Sequence, residues 1–317
     1  MQFDDGDKNR SPVHVHGMGV ATTAVFIVGE VAGSGVLALP KALNDTGWIG
    51  VVLMVLIAGV AVYTGTLLGR CWMIVLERHA SGLDHKARQP YPSIGQAAFG
   101  KHCRQLAVIA ALATAIACLM VLIQMATDAP EMPPAFHGPL VPKEFFAAFG
   151  IISFGFGGHH SFPTFQVDMK KPERFGYTLS ISYFTILAIY MPVVISGFLL
   201  YGDNLQANVL LNITTGPLLT VAQILITLHL MAGAVILINP LCQESEDLLG
   251  IPSRFGLRRV LLRTALMGLA LFTALTLPKF GAILSLIGGS TLTCMGFIFP
   301  PLFYLKLCSM KGNWENK

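Results

Sequence analysis

Long runs without a charged side chain constrain this chain more than any other feature. Between Ser11 and Pro40 the sole charge is Glu30. No charge occurs in Ile49–Gly69, Gln105–Thr127, Phe145–Val167, Phe175–Gly202, Asn204–Gln243, Thr264–Pro278 or Gly281–Leu305. A bilayer is crossed by roughly 17–25 apolar residues in a helix. With 54% hydrophobic and 12% charged residues and a mean hydropathy of +0.65, the apolar excess surpasses what a soluble core of this length needs. An all-α, polytopic membrane bundle of about eight spans is therefore expected, at 18–42, 48–76, 103–127, 144–166, 176–201, 217–240, 257–277 and 280–306. The start of the sixth follows from the turn residues of Asn208–Pro217, and Arg258, Arg259 and Arg263 of the seventh reach back toward headgroups. Residues 1–17 read as a cytosolic tail without a signal sequence, 18–307 as the membrane domain, and 308–317 as a second cytosolic tail.

Lysine and arginine set the orientation. With the N-terminus in the cytosol, 18 of the 21 fall in cytosolic segments, leaving Lys41, Lys143 and Lys279 outside. Both termini are then cytosolic. The Asn212-Ile213-Thr214 sequon lies in an outer loop, so Asn212 is the expected glycosylation site. No cysteine of the six falls in an outer loop, and no disulfide is expected. The net charge of +4 reflects this topology rather than a nucleic-acid partner.

Two spans are poor material for continuous helix. The first, FIVGEVAGSGVLALPKAL, holds Gly29, Gly33, Ser34, Gly35 and Pro40 around the carboxyl of Glu30. The fourth, FGIISFGFGGHHSFP, holds Gly150, Gly155, Gly157, Gly158 and Pro163 beside His159 and His160. In both, the last glycine stands five residues before the proline. Small residues can also serve close helix packing. Paired Gly/Pro interruptions in two halves of a chain, however, point to a transporter's midplane site. A carboxyl at that depth is costly and is by default functional, the alternative being a protonated structural Glu30. His159 and His160 are candidates for titration near neutral pH or for packing, and His229 reads as structural.

The segments GEVAGSGVLALPKAL, YPSIGQAAFGKHCRQL, FGFGGHHSFPTFQVDMKKPERF, NPLCQESEDLLG and SLIGGSTLTCMGFIFPPLFYLKL, in this order, resemble the amino acid/auxin permease family from about Gly17 to Leu307. That family is similar in architecture to sodium-coupled transporters with a five-plus-five inverted repeat. The resemblance implies a first helix unwound at Gly29-x-x-x-Gly33-x-Gly35, with the N–H groups of Ser34 and Gly35 on a substrate carboxylate. It implies a coupling cation near Glu30 and the carbonyls of Gly29 and Ala32, and a substrate side chain facing Phe156, Gly157 and His159. About eleven spans are usual in the family. Here the fourth and most of the fifth look fused away near Gln124–Asp128, and a last span is missing, which leaves the repeat incomplete.

The function expected is secondary transport of small or neutral amino acids, driven by a proton or sodium gradient, in a plasma or endolysosomal membrane. No cofactor or metal beyond the coupling ion is expected. The alternative is a truncated, non-transporting relative that modulates a full-length one, as a homo- or hetero-oligomer. A membrane enzyme is disfavoured by the lack of an HExxH or Ser/Lys arrangement within a span, and a receptor by an even span count. The charge pattern predicts that an N-terminal tag resists protease in sealed right-side-out vesicles and that glycosidase shifts the chain through Asn212. Cleavage of the tag contradicts the topology.

Overall fold

The computed structural model describes residues 17–78, 101–252, 254–277 and 279–309. The two tails and the YPSIGQAAFG part of one family-like segment lie outside the described residues. All regular structure among the described residues is helical. In chain order the helices are α1 (Val20–Val31), α2 (Gly35–Thr46), α3 (Ile49–Arg78), α4 (Lys101–Asp128), α5 (Pro142–Gly155), α6 (Phe162–Val167), α7 (Phe175–Tyr201), α8 (Pro217–Leu248), α9 (Leu257–Thr276), α10 (Phe280–Ile287) and α11 (Phe299–Ser309). Wide π-type turns at Gly288–Leu292 and Cys294–Ile298 join the last two.

Six stretches are long and apolar enough to cross a membrane: Ile49–Val75, Ala111–Glu131, Pro172–Asn204, Pro217–Ala234, Leu257–Thr276 and Phe280–Ser309. A seventh is the pair α1 and α2, bent by 64° at the break. The fourth expected span, 144–166, is interrupted as its glycines imply. It divides into α5 and α6 around an irregular 156–161, and neither half has the length to cross alone. Pro40 does not end its helix. α2 runs through it, and the unwinding falls earlier, at 32–34.

Lipid explains the surface. Val52, Leu56, Leu112, Leu119, Phe184, Leu228 and Phe272 are all more than half exposed, which suits hydrocarbon rather than water. Inside, α7 is the central post, packed against α1, α2, α3 and α4. By contrast, α9 buries no residue and is held to α8 near its start by charge. Arg263 Nε and Arg259 Nε donate to Glu246 Oε1 at 2.6 and 2.9 Å. The hydrogen bond from Arg263, followed by that from Arg259, holds the Glu246 carboxyl below the usual glutamate range.

Segments placed on one side by the charge pattern meet one another. At one end Asn44 Nδ2 donates to Asp203 Oδ1 (2.9 Å), and the Gly138 N–H donates to Asp203 Oδ2 (2.8 Å). There too the Thr214 N–H donates to Asp128 (3.1 Å). Gly202 makes this cap possible. Its φ is +50°, and a Cβ there would lie 2.2 Å from the Phe136 carbonyl oxygen. At the other end Met18 and Met169 pair as a short parallel bridge.

The broken spans leave carbonyls without an ordinary helical partner, and α7 donates to one at each break, at Val31 alongside the Gly33 N–H. Tyr190 Oη donates to the Val31 carbonyl at 3.0 Å, at the end of α1. Tyr183 Oη donates to the Phe156 carbonyl at 2.7 Å, at the end of α5. The two tyrosines stand seven residues apart, about two turns, on one face of α7. Both are buried. Tyr183→Phe strands the Phe156 carbonyl and should cost about 1–3 kcal/mol, read as a lower melting temperature in detergent; Tyr190→Phe leaves the Val31 carbonyl its bond from the Gly33 N–H and should cost less. Gly288→Ala, whose Cβ would lie 1.9 Å from the Gly150 carbonyl oxygen, should also be destabilising, by about 1–3 kcal/mol. Gly59→Ala meets nothing within 4 Å and should be neutral in the same melt.

Candidate functional site

The two interruptions come together. α1 ends at Val31, and the Gly33 N–H turns back to the Val31 carbonyl at 2.8 Å. α2 restarts at Gly35, so the N–H groups of Ser34 and Gly35 begin a new helix with no carbonyl one turn before them. Across from this break lies 156–161, where α5 has ended and α6 has not begun.

Glu30 joins the two breaks. Its Oε1 lies 3.2 Å from His160 Nε2 and accepts from Ser161 Oγ at 3.2 Å. The Glu30 side chain is 13% exposed, and that of His160 41%. Of the two adjacent histidines offered by the sequence, it is His160 whose ring lies at Glu30. Adjacent residues of an irregular segment point different ways, and the His159 ring turns toward α3. There its Nε2 lies 2.9 Å from Thr64 Oγ1, with Phe162 and Phe297 against its faces. A Cβ at Gly296 would lie 2.9 Å from His159 Nδ1. His159 is thus enclosed between α3 and the last span, and His160 is the histidine at the carboxylate.

The glycines separate into two kinds. A Cβ at Gly35 would lie 2.7 Å from the Gly155 Cα, so this glycine permits contact between α2 and α5. Gly33 is open. The nearest atom to a Cβ there would be His229 Nε2 of α8, at 4.0 Å. His229, assigned a structural role from the sequence, therefore stands at the first break. Gly29 and Glu30 are half-buried on α1, and Ala32 is buried. Phe156 is fully buried against Tyr183 and Tyr190, with ring centroids 6.4 and 5.7 Å away. Gly157 faces Leu292 of the last span.

Asn212 sits away from these breaks, in the cap at the far end of α7. Its Nδ2, the atom that would carry a glycan, donates to the Asn204 carbonyl at 2.9 Å. Its Oδ1 accepts from the Gln206 N–H at 2.8 Å, and the Thr214 hydroxyl of the same sequon donates to Asp128.

Around the two breaks the structure adds Thr64, Ser161, Tyr183 and Tyr190, and brings in His160 and His229, which the sequence offered as a titration or packing candidate and as a structural residue. A signal existed for the tyrosines: two polar rings seven residues apart in a charge-free span. None existed for the choice between His159 and His160.

The sequence matches the family described as "Transmembrane amino acid transporter protein" over residues 16–138 and again over 107–317. Residues common to both stretches, 107–138, hold most of α4 and the loop after it. "Amino acid transporter AVT1E" of Arabidopsis thaliana is 26% identical over 363 residues, covering 91% of this chain and 66% of that protein. "Amino acid transporter AVT1H" of the same plant is 25% identical, covering 90% of this chain and 81% of the relative. "Amino acid transporter AVT1D" is 24% identical, at 90% and 63%. The alignment with AVT1E is longer than this 317-residue chain, of which 91% is about 288 residues. The relative thus has about 75 residues without a counterpart here, the difference between 363 and 288. A family match that doubles back over 107–138 is the pattern an omission within or beside α4 would leave. Together the two matched stretches run from residue 16 to 317, and the chain belongs to the transmembrane amino acid transporter family.

Proposed function

We propose that this chain binds small or neutral amino acids at the paired breaks and carries them across a membrane, driven by a proton or sodium gradient. The observation that carries the reading is the meeting of two interrupted spans at Glu30, in a member of an amino acid transporter family. The N–H groups of Ser34 and Gly35 open α2, and a helix N-terminus favours an anion such as the substrate carboxylate. Glu30, beside the carbonyls of Gly29 and Ala32, takes the coupling cation. Phe156, Gly157 and His159 belong to the wall on the substrate side-chain face. Phe156 and His159 are both buried in this conformation, so a substrate side chain would meet them only once the packing around the breaks opens. The membrane is the plasma membrane or an endolysosomal one, with both termini in the cytosol.

A second reading rests on the residues absent relative to AVT1E. In it the chain binds amino acids without moving them and modulates a full-length relative through a homo- or hetero-oligomer. Equilibrium binding and uptake separate the two readings.

Purified chain in proteoliposomes should bind labelled amino acids and accumulate them under an imposed pH or sodium gradient. Esters and amides of the same amino acids lose the carboxylate. They should compete about ten-fold or more weakly, since a charge-assisted hydrogen bond is worth about 1.5–3 kcal/mol. Ser34→Ala keeps the N–H and should bind nearly as well as the parent. Glu30→Gln should bind but lose the response to the gradient. Gly35→Val is not diagnostic here, because its contact with Gly155 would fail for packing reasons alone. Equal competition by acid and ester contradicts the carboxylate site. Binding without uptake selects the second reading.

A further inference from the structure

Three kinds of contact hold the broken region, and they differ in what can undo them. α2 and α5 touch through Gly35 and Gly155, backbone against backbone. α1 and α5 each hang on α7 through an uncharged tyrosine hydroxyl. Gly33 has open space around it up to His229. The remaining tie, from α1 to the second break, is a carboxylate. Glu30 holds His160 and Ser161 at 3.2 Å each, longer than the roughly 2.7–2.9 Å of a well-formed charge-assisted pair. Of these ties, only the carboxylate can be altered directly by a proton or a metal cation.

The geometry points to His160 and Ser161 as positioning residues for Glu30. Together they form a clamp that holds the end of α1 against the second break while the carboxylate is free, and releases it when a coupling cation occupies Glu30. This rests on the reading of Glu30 as the coupling site. A proton on Glu30 weakens the acceptor that the His160 N–H and the Ser161 hydroxyl share. A sodium ion would take the same lone pairs and repel the His160 N–H. With the clamp open, α1 can pivot at the unwound 32–34, where Gly33 meets no close neighbour, while α2 stays with α5. The titratable side chains on the surrounding elements are engaged elsewhere or lie at other positions. His159 is on Thr64 of α3, Tyr183 and Tyr190 are on carbonyls, His229 of α8 is beside Gly33, and Cys118 of α4 is buried.

The test reads the first break directly and needs no substrate. Ser34→Cys is introduced into the parent, Glu30→Gln, His160→Ala and the Glu30→Gln/His160→Ala double variant. Its labelling rate with a membrane-permeant maleimide is followed in proteoliposomes, above the background of the native cysteines. Glu30→Gln and His160→Ala should each raise the rate about three-fold or more. The double variant should be no faster than either single one, because both remove the same contact. His160→Gln, which keeps an N–H donor, should stay near the parent rate, and Ser161→Ala should fall between. Added sodium at constant pH should speed labelling in the parent relative to Glu30→Gln at the same condition. Additive effects in the double variant, or a parent rate in His160→Ala, overturn the clamp. Failure of the function reading is separate: it appears as absence of amino-acid binding, whatever the labelling shows.

Discussion

A carbonyl freed inside a bilayer must find a donor, and the rest of this structure depends on where two such carbonyls find theirs. Val31 ends α1 and Phe156 follows the end of α5; α7 reaches both with Tyr190 and Tyr183, joining the Gly33 N–H at Val31 and standing alone at Phe156. An unsatisfied polar group in hydrocarbon costs several kcal/mol. Two turns of one helix therefore set the spacing of the breaks and bring them close enough for Glu30 to bridge them.

From this arrangement the glycines acquire different duties. Gly35 with Gly155, and Gly150 with Gly288, let backbones touch, whereas Gly33 lies in open space. Composition alone shows these residues as one class, and the sequence correctly leaves packing and unwinding open for them. Contact distance decides. Gly35 is a joint between two helices, and Gly33 is the place where the chain can turn. The same logic applies to the paired histidines. Their order in the chain says nothing about which ring meets Glu30, because an irregular segment has no fixed side-chain period.

Much of the fold was legible from charge. The starts of α8 and α9 at Pro217 and Leu257 coincide with the expected ones, because a charged or turn-forming boundary marks each. The bend in the first span was legible from its glycines. The division of the fourth was read as an interruption, yet its depth, six residues between α5 and α6, was hidden by an unbroken apolar run. The extension of α8 to Leu248 also escaped, since its last turns carry Glu244, Glu246 and Asp247. Of these, Glu246 is held by Arg259 and Arg263 arriving from the next helix. Long-range partners of this kind have no local signature. The repeated family match over 107–138 and the residues absent relative to AVT1E bear on α4, which packs on α8, α1 and α7.

The account stands on the convergence of the two interrupted helices, and a proximity measurement in the membrane addresses it most directly. Glu30→Cys and Ser161→Cys together should be joined by a short bifunctional thiol reagent in intact vesicles, since the native side chains touch at 3.2 Å. Met18→Cys with Met169→Cys, whose backbones pair in the bridge, serves as the positive control. Joining of both pairs is the result predicted. Joining of the control pair with none between positions 30 and 161 would contradict a shared site.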